Sequence, residues 1–217
     1  MMKQNVVKIN KEIEKIKEVD THDIKSTVWP FKIDTLETWA YCNNVFSKEE
    51  CEQIIKWGKK NKIEQAKLSF NSKLDKKMRD SHVSWIYPNL ENNNIFKRLT
   101  DIVTDLNNKY FKFNLYGLAE GLQFTNYKAP SGKYGKHIDR GLNMQIRKLS
   151  FSLQLSDPKN YEGGDLCLYE GDKPLSGIPK EQGAMVLFPS YVLHEVIPVT
   201  KGERNSLVGW VTGEAFK

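Results

Sequence analysis

From about Phe113 onward the chain is punctuated in one way only. Short runs rich in Val, Leu, Phe and Tyr are each stopped by Gly, Pro, Asn or Asp, at residues 121–127, 148–155, 165–169, 184–188, 195–199 and 206–211. Runs of that length are strand-sized, and no helical periodicity is interleaved between them. A parallel α/β sheet needs a crossover helix between strands, so that architecture is disfavoured. The pattern predicts a mainly β, α+β domain with a sandwich or jelly-roll core buttressed by upstream helices.

Those helices announce themselves separately. Ser47, with Glu50 three residues later, is a capping box that opens a helix carrying Cys51, Ile54, Ile55 and Trp57 on its buried stripe; Gly58 is expected to weaken its end. Ile95, Phe96, Leu99, Ile102, Val103 and Leu106 share one face of a second helix, expected over 94–108. Val6, Ile9, Ile13 and Ile16 predict an amphipathic N-terminal helix. Residues 1–26 are therefore read as an extension and 27–217 as a single domain, which a chain of 217 residues is long enough to form.

The net charge of +6 is concentrated between residues 56 and 79, where nine basic residues face only Glu64 and Asp75. Such a run is read first as a solvated surface and second as a rim that attracts an acidic substrate. Cys42, Cys51 and Cys167 have no CxxC spacing, so neither a disulfide framework nor a thiolate metal site is expected, and a reducing cytoplasm is the expected setting. No apolar run reaches the roughly 18–20 residues of a membrane span, and no signal-peptide core is seen.

The chemistry-bearing residues lie in the strand-rich half. His137 and Asp139 stand at i and i+2, which on an extended strand sends both side chains from one face. His194 begins another apolar run after Phe188-Pro189-Ser190. Two histidines and one carboxylate occupy one face of an octahedral iron and leave positions open, although a hydrolytic zinc would accept the same ligands. Arg204, with Ser206 two residues on, separates the two. A guanidinium and a hydroxyl on one strand face suit a carboxylate held bidentately, which a zinc hydrolase does not need. Read one at a time, these residues are also ordinary hydrogen-bonded histidines, a turn aspartate and a surface Glu203–Arg204 pair. His22 and His82 are read as structural.

In this order the motifs resemble the Fe(II)/2-oxoglutarate oxygenase superfamily, in its prolyl 4-hydroxylase-like branch of the bacterial and viral PKHD type. The resemblance covers 79–212. It rests on Asn126-Tyr127, Gly132-Lys133-Tyr134, His137-Ile138-Asp139, 147–155, Gly163-Gly164-Asp165-Leu166, 183–188, His194-Glu195-Val196, Arg204 and Trp210, with 157–165 (DPKNYEGGD) especially similar. It implies a double-stranded β-helix, a distorted jelly roll, with iron at His137, Asp139 and His194 and 2-oxoglutarate at Arg204 and Ser206. Dioxygen is the second co-substrate and ascorbate an accessory reductant. Tyr127 and Trp210 match residues that line the co-substrate pocket. Gln154 stands where relatives more often place a tyrosine. Arg79, Trp85 and Tyr134 are candidate substrate contacts, Arg79 and Trp85 lying on a segment that resembles the border of the substrate groove.

The expected reaction is hydroxylation of an unactivated C–H, with a prolyl or other residue of a peptide or protein as substrate. Oxidation of a small molecule or nucleobase, with nucleic acid held by the basic segment, is the less favoured alternative. A non-catalytic binding module is the third. No P-loop, dinucleotide fingerprint or Ser/His/Asp arrangement offers another mechanism.

Overall fold

The computed structural model describes residues 35–66, 75–118, 120–139 and 146–215. The expected N-terminal helix, the domain boundary at residue 27 and His22 all lie outside them. In chain order come β1 (Ala40–Cys42), α1 (Lys48–Lys60), β2 (Glu64–Gln65), β3 (Arg79–Asp80), β4 (His82–Ile86) and α2 (Asn93–Leu106). Then follow β5 (Leu115–Leu118), β6 (Leu122–Lys128), β7 (Lys133–His137), β8 (Arg147–Gln154), β9 (Tyr161–Gly163), β10 (Leu166–Glu170), β11 (Lys173–Pro174), β12 (Met185–Pro189), β13 (His194–Val196) and β14 (Val199–Gly213). Five of the six expected runs match a strand or part of one to within a residue, and 195–199 spans the end of β13 and the start of β14.

The strands form two antiparallel sheets. The larger runs β1-β12-β8-β14-β6-β4-β2, with β5 and β9 added along β14, and the smaller runs β11-β10-β13-β7-β3. β14 is the hinge of this arrangement, because its 15 residues pair with β9 at one end and with β6, β8 and β5 along the rest. A jelly roll closes in this way: a long central strand is shared, and the two sheets face each other across a filled interior.

Side-chain alternation assigns each face of the larger sheet. Leu122 and Phe124 of β6, Leu149, Phe151 and Leu153 of β8, and Leu207 and Val211 of β14 join one buried cluster with Ile54 of α1 and Ile95, Leu99 and Val103 of α2. The helices therefore cover the outer face. The inner face carries Gln123, Thr125 and Tyr127, then Ser152, then Arg204, Ser206, Val208 and Trp210, which line the main cavity. Apolar residues at every second position build the support, and polar residues between them build the lining.

α1 starts as the sequence predicts. The Glu50 N–H donates to Ser47 Oγ at 3.2 Å, and the Ser47 N–H donates to Glu50 Oε2 at 2.9 Å. Gly58 is not a weak point. The helix continues through it to Lys60, and a Cβ there would stand 2.2 Å from Phe124 Cγ. The missing side chain lets α1 pack directly on the Phe124 ring of β6. The second helix ends at Leu106 and is prolonged by a π turn, Asn107–Phe111, that buries Phe111.

Candidate active site

The smaller sheet brings two imidazoles together. His194 on β13 is the cross-strand partner of His137 on β7, and their ring centres are 4.1 Å apart. Each ring places Nδ1 against the carbonyl two residues back, Gly135 O at 2.8 Å and Val192 O at 2.9 Å. A carbonyl accepts only from an N–H, so Nδ1 carries the proton and Nε2 presents its lone pair inward. Burial holds the His194 imidazole below its ordinary pKa, which keeps it neutral.

Asp139 arrives differently from the sequence expectation. β7 ends at His137, and Asp139 stands in the bend beyond it, where its N–H donates to Ser190 O at 2.9 Å. Its carboxylate lies 3.6 Å from His137 Nε2 and 3.5 Å from His194 Nε2. Burial by itself pushes this carboxyl up, but the positive charge of His194 and His137, whenever their Nε2 atoms are also protonated, and the Ser150 hydroxyl hold it well below the usual carboxylate range. The three ligand atoms lie within 4.8 Å of one another. Ligands about 2.1 Å from one divalent ion, on one octahedral face, sit roughly 3 Å apart, so a small inward adjustment gathers all three. The donor set is mixed nitrogen and oxygen with no thiolate, which suits ferrous iron.

Opposite this trio, Arg204 on β14 is buried, and its Nη1 has no hydrogen-bond partner among the described residues; the Trp210 Nε1 is in the same position. An unpaired guanidinium nitrogen in the interior is costly unless an anion completes it. Glu203 does not complete it, because Glu203 pairs with Lys59 at 2.5 Å and Lys128 at 3.8 Å. Arg204 is the cross-strand partner of Tyr127, and its Cζ stands 5.4 Å from that ring. Burial pushes the Tyr127 phenol up, so it stays a donor at neutral pH. Ser206 lies between Thr125 and Gln154 in the sheet.

One cavity of about 390 Å³ holds these groups, with His137, Asp139, His194, Tyr127, Arg204, Ser206 and Trp210 on its walls. Its volume is that of a small-molecule site, and its walls combine apolar side chains with many polar and charged ones. Arg79, Trp85 and Tyr134 also line it. The Tyr134 ring stacks on His137 with centres 3.5 Å apart, and the Arg79 Cζ is 4.3 Å from that ring. Arg79 itself donates to Ser81 Oγ at 3.1 Å and Gln123 Oε1 at 2.8 Å. Trp85 and Trp210 form a tilted pair, centres 6.2 Å apart. Gln154 lines a smaller adjoining cavity instead, with its amide on Tyr161.

Sequence reasoning passed over Arg147 and Glu120. Arg147 lies over Trp210 at 4.1 Å, donates Nη1 to Asp139 O at 3.2 Å, and binds Glu120 Oε1 through Nε at 2.9 Å and Nη2 at 2.5 Å. Strict alternation assigns Arg147 to the apolar side with Leu149. The pairing of β8 with β14 is irregular between Val211 and Thr212, where Arg147 sits. The basic run is also less free than its composition suggests. Lys59 holds Glu203, Lys62 holds Glu64 at 2.5 Å, and Arg79 is buried. Cys42, Cys51 and Cys167 are free thiols, and no helix among the described residues is long and apolar enough to cross a membrane.

Comparison with known proteins bears on the family and the fold. Residues 122–212 match the model of the 2OG-Fe(II) oxygenase superfamily. A PKHD-type hydroxylase of Prochlorococcus marinus (strain NATL2A) is 35% identical over 176 residues, covering 78% of this chain and 76% of the relative. Among solved structures, a Pseudomonas putida prolyl-4-hydroxylase superposes with a TM-score of 0.63 at 21% identity, over 82% of this chain and 94% of the other. A Trichoplax adhaerens prolyl hydroxylase, in complex with a hypoxia inducible factor oxygen degradation domain peptide fragment, gives 0.66 at 19%, over 81% and 84%. The jelly roll described above is the fold of these enzymes.

Proposed function

Because this chain belongs to the 2OG-Fe(II) oxygenase superfamily, with PKHD-type hydroxylases as its relatives, we propose that it hydroxylates a prolyl or similar residue in a peptide or protein. Fe(II) is held by His137, Asp139 and His194, and 2-oxoglutarate by Arg204. The single observation that carries this reading is the pairing of a convergent His-Asp-His trio with a buried, unpartnered Arg204 Nη1 in one cavity. A zinc hydrolase has use for the first but not the second.

When bound, ferrous iron supplies the redox chemistry, with dioxygen and 2-oxoglutarate as co-substrates, that turns C–H into C–OH. The chain's own residues bind, orient and exclude water. His137 and His194 present neutral Nε2 atoms because their Nδ1 protons are committed to carbonyls. Asp139 remains a carboxylate. Arg204 and Ser206 neutralise and hydrogen-bond the far carboxylate, while Tyr127 closes one wall. Trp85 and Trp210 form an aromatic flank suited to a compact apolar ring such as that of proline. A peptidyl substrate is supported by the names of the relatives, one of which is in complex with a peptide fragment. A nucleic-acid substrate is less favoured, because of the seven described basic residues in the run Lys59 and Lys62 are ion-paired and Arg79 is buried. Ascorbate as accessory reductant belongs to the same proposal.

The test is an anaerobic Fe(II) titration with 2-oxoglutarate, reading the visible metal-to-ligand charge-transfer band in wild type and in His194→Ala. A band in wild type that is lost in the variant is expected. A folded, iron-replete wild type without a band would sink the reading. Turnover stimulated by a proline-containing peptide then identifies the substrate class.

A further inference from the structure

The segment Phe188-Pro189-Ser190-Tyr191-Val192 leads from β12 of the larger sheet to β13 of the smaller one. Two of the three candidate metal ligands are hydrogen-bonded to its backbone. The Asp139 N–H donates to Ser190 O at 2.9 Å, and His194 Nδ1 donates to Val192 O at 2.9 Å. His137 is fixed separately, on Gly135 O of its own strand. The placing of Asp139 relative to His194 therefore depends on where this one turn is held.

Among the described residues, the turn is held to β8 in two ways. The Ser190 N–H donates to Lys148 O at 2.9 Å, one residue beyond the Pro189–Leu149 pair that ends the β12–β8 ladder. Beside it, Ser190 Oγ and Ser150 Oγ are 2.9 Å apart, and both serines are fully buried. Stability alone does not call for this hydroxyl pair. A buried hydroxyl is costly to desolvate, a bond between two neutral hydroxyls recovers little more than that cost, and two alanines would fill nearly the same space. What the pair adds is direction. A hydrogen bond fixes a distance and an angle, whereas apolar contact is non-directional. The Ser150 hydroxyl also helps to hold the Asp139 carboxyl down.

We infer that Ser150 and Ser190 are positioning residues for the metal: their hydroxyl pair pins the 189–192 turn to β8 and so sets Asp139 and His194 relative to each other. They act through those two ligands rather than on the ion. The larger sheet thereby fixes part of the ligand geometry that the smaller sheet presents. This inference rests on the metal site of the oxygenase reading above, and it predicts a metal affinity that depends on two residues outside the ligand set.

The experiment measures Mn(II) affinity from the paramagnetic resonance signal of the free ion, and urea midpoints of the metal-free protein. Wild type is compared with Ser150→Ala, Ser190→Ala and the double variant. Losing an outer partner of a metal ligand weakens metal binding about 10- to 100-fold, and that rise in Kd is expected in each variant. Each single substitution breaks the same bond, so the double variant is expected to bind within about twofold of the singles. Its urea midpoint is expected to lie nearest to wild type, because no hydroxyl is left unpaired. A merely structural pair would lower the midpoints and leave Kd within about twofold of wild type, which overturns the inference. Additive losses in the double variant overturn it too, since the serines then act separately. If neither single variant folds, the double variant decides; its failure to fold would make the pair a support of the core and sink the inference. Wild type that binds no Mn(II) overturns the oxygenase reading itself.

Discussion

Arg204 reaches the cavity from a strand whose neighbours are fixed by pairing, Tyr127 on one side and the Ser206–Gln154 row on the other. The fork geometry of its guanidinium matters more than its charge, since a carboxylate is gripped by two parallel N–H groups. Arg204→Lys keeps the charge and discards the fork. We expect it to weaken 2-oxoglutarate binding by about tenfold or more, measured by equilibrium dialysis, with Fe(II) affinity unaltered. Equal affinity in the variant would show that only a point charge is needed. The histidines tell a complementary story. His137, Asp139 and His194 were legible as a candidate ligand set because the chemistry of each side chain is local. The tautomer of each imidazole depends on the Gly135 and Val192 carbonyls, and that was not legible. Tyr161 lay in plain view within DPKNYEGGD, but nothing local says that its hydroxyl meets Gln154, seven residues away on another strand.

The elements differ in how much of their structure is written in local pattern. α1 was readable from its capping box, and the strands from their alternation, because each signal spans only a few residues. Gly58 was misread for the converse reason. Helix propensity penalises glycine by about 1 kcal/mol, so the residue looks like a defect. Its actual role is to admit the Phe124 ring, which lies 2.2 Å from where a Cβ would be. Gly58→Ala therefore sets two effects against each other. The propensity gain of about 1 kcal/mol opposes an overpacking cost of about 1–3 kcal/mol against a fully buried ring. We expect a net destabilisation of up to about 2 kcal/mol, read from urea denaturation midpoints. A more stable variant would mean that α1 shifts away from β6 at little cost. Asp139 is a second case, because the i, i+2 rule predicts a shared strand face while the strand ends at His137. The carboxylate reaches the same place from a bend tied to Ser190.

At the scale of the molecule, the two sheets contribute different halves of the site. The smaller supplies His137 and His194, and the larger supplies Arg204, Ser206, Tyr127 and Trp210. Ligands bridging both should stabilise the closed sandwich, since they bind the folded chain and not the unfolded one. Mn(II) with 2-oxoglutarate, as a redox-quiet stand-in, is expected to raise the melting temperature by roughly 5–10 °C at about 100 times the dissociation constant, reversed by chelator. No shift, with the metal shown to be bound, would mean that the unfolded chain binds it equally well.

Residue chemistry, capping and alternation are short-range properties, and from them the sequence by itself determined the β-rich class, the buttressing helices, the candidate metal-ligand trio and the arginine opposite it. The tertiary structure alone decided which side chains meet. It set His194 beside His137 through a cross-strand register, brought Tyr161 to Gln154, turned Arg147 inward where the pairing slips, and packed Gly58 on Phe124. Periodicity states which face of a strand is buried, whereas the partner across that face depends on pairing between residues far apart in the chain.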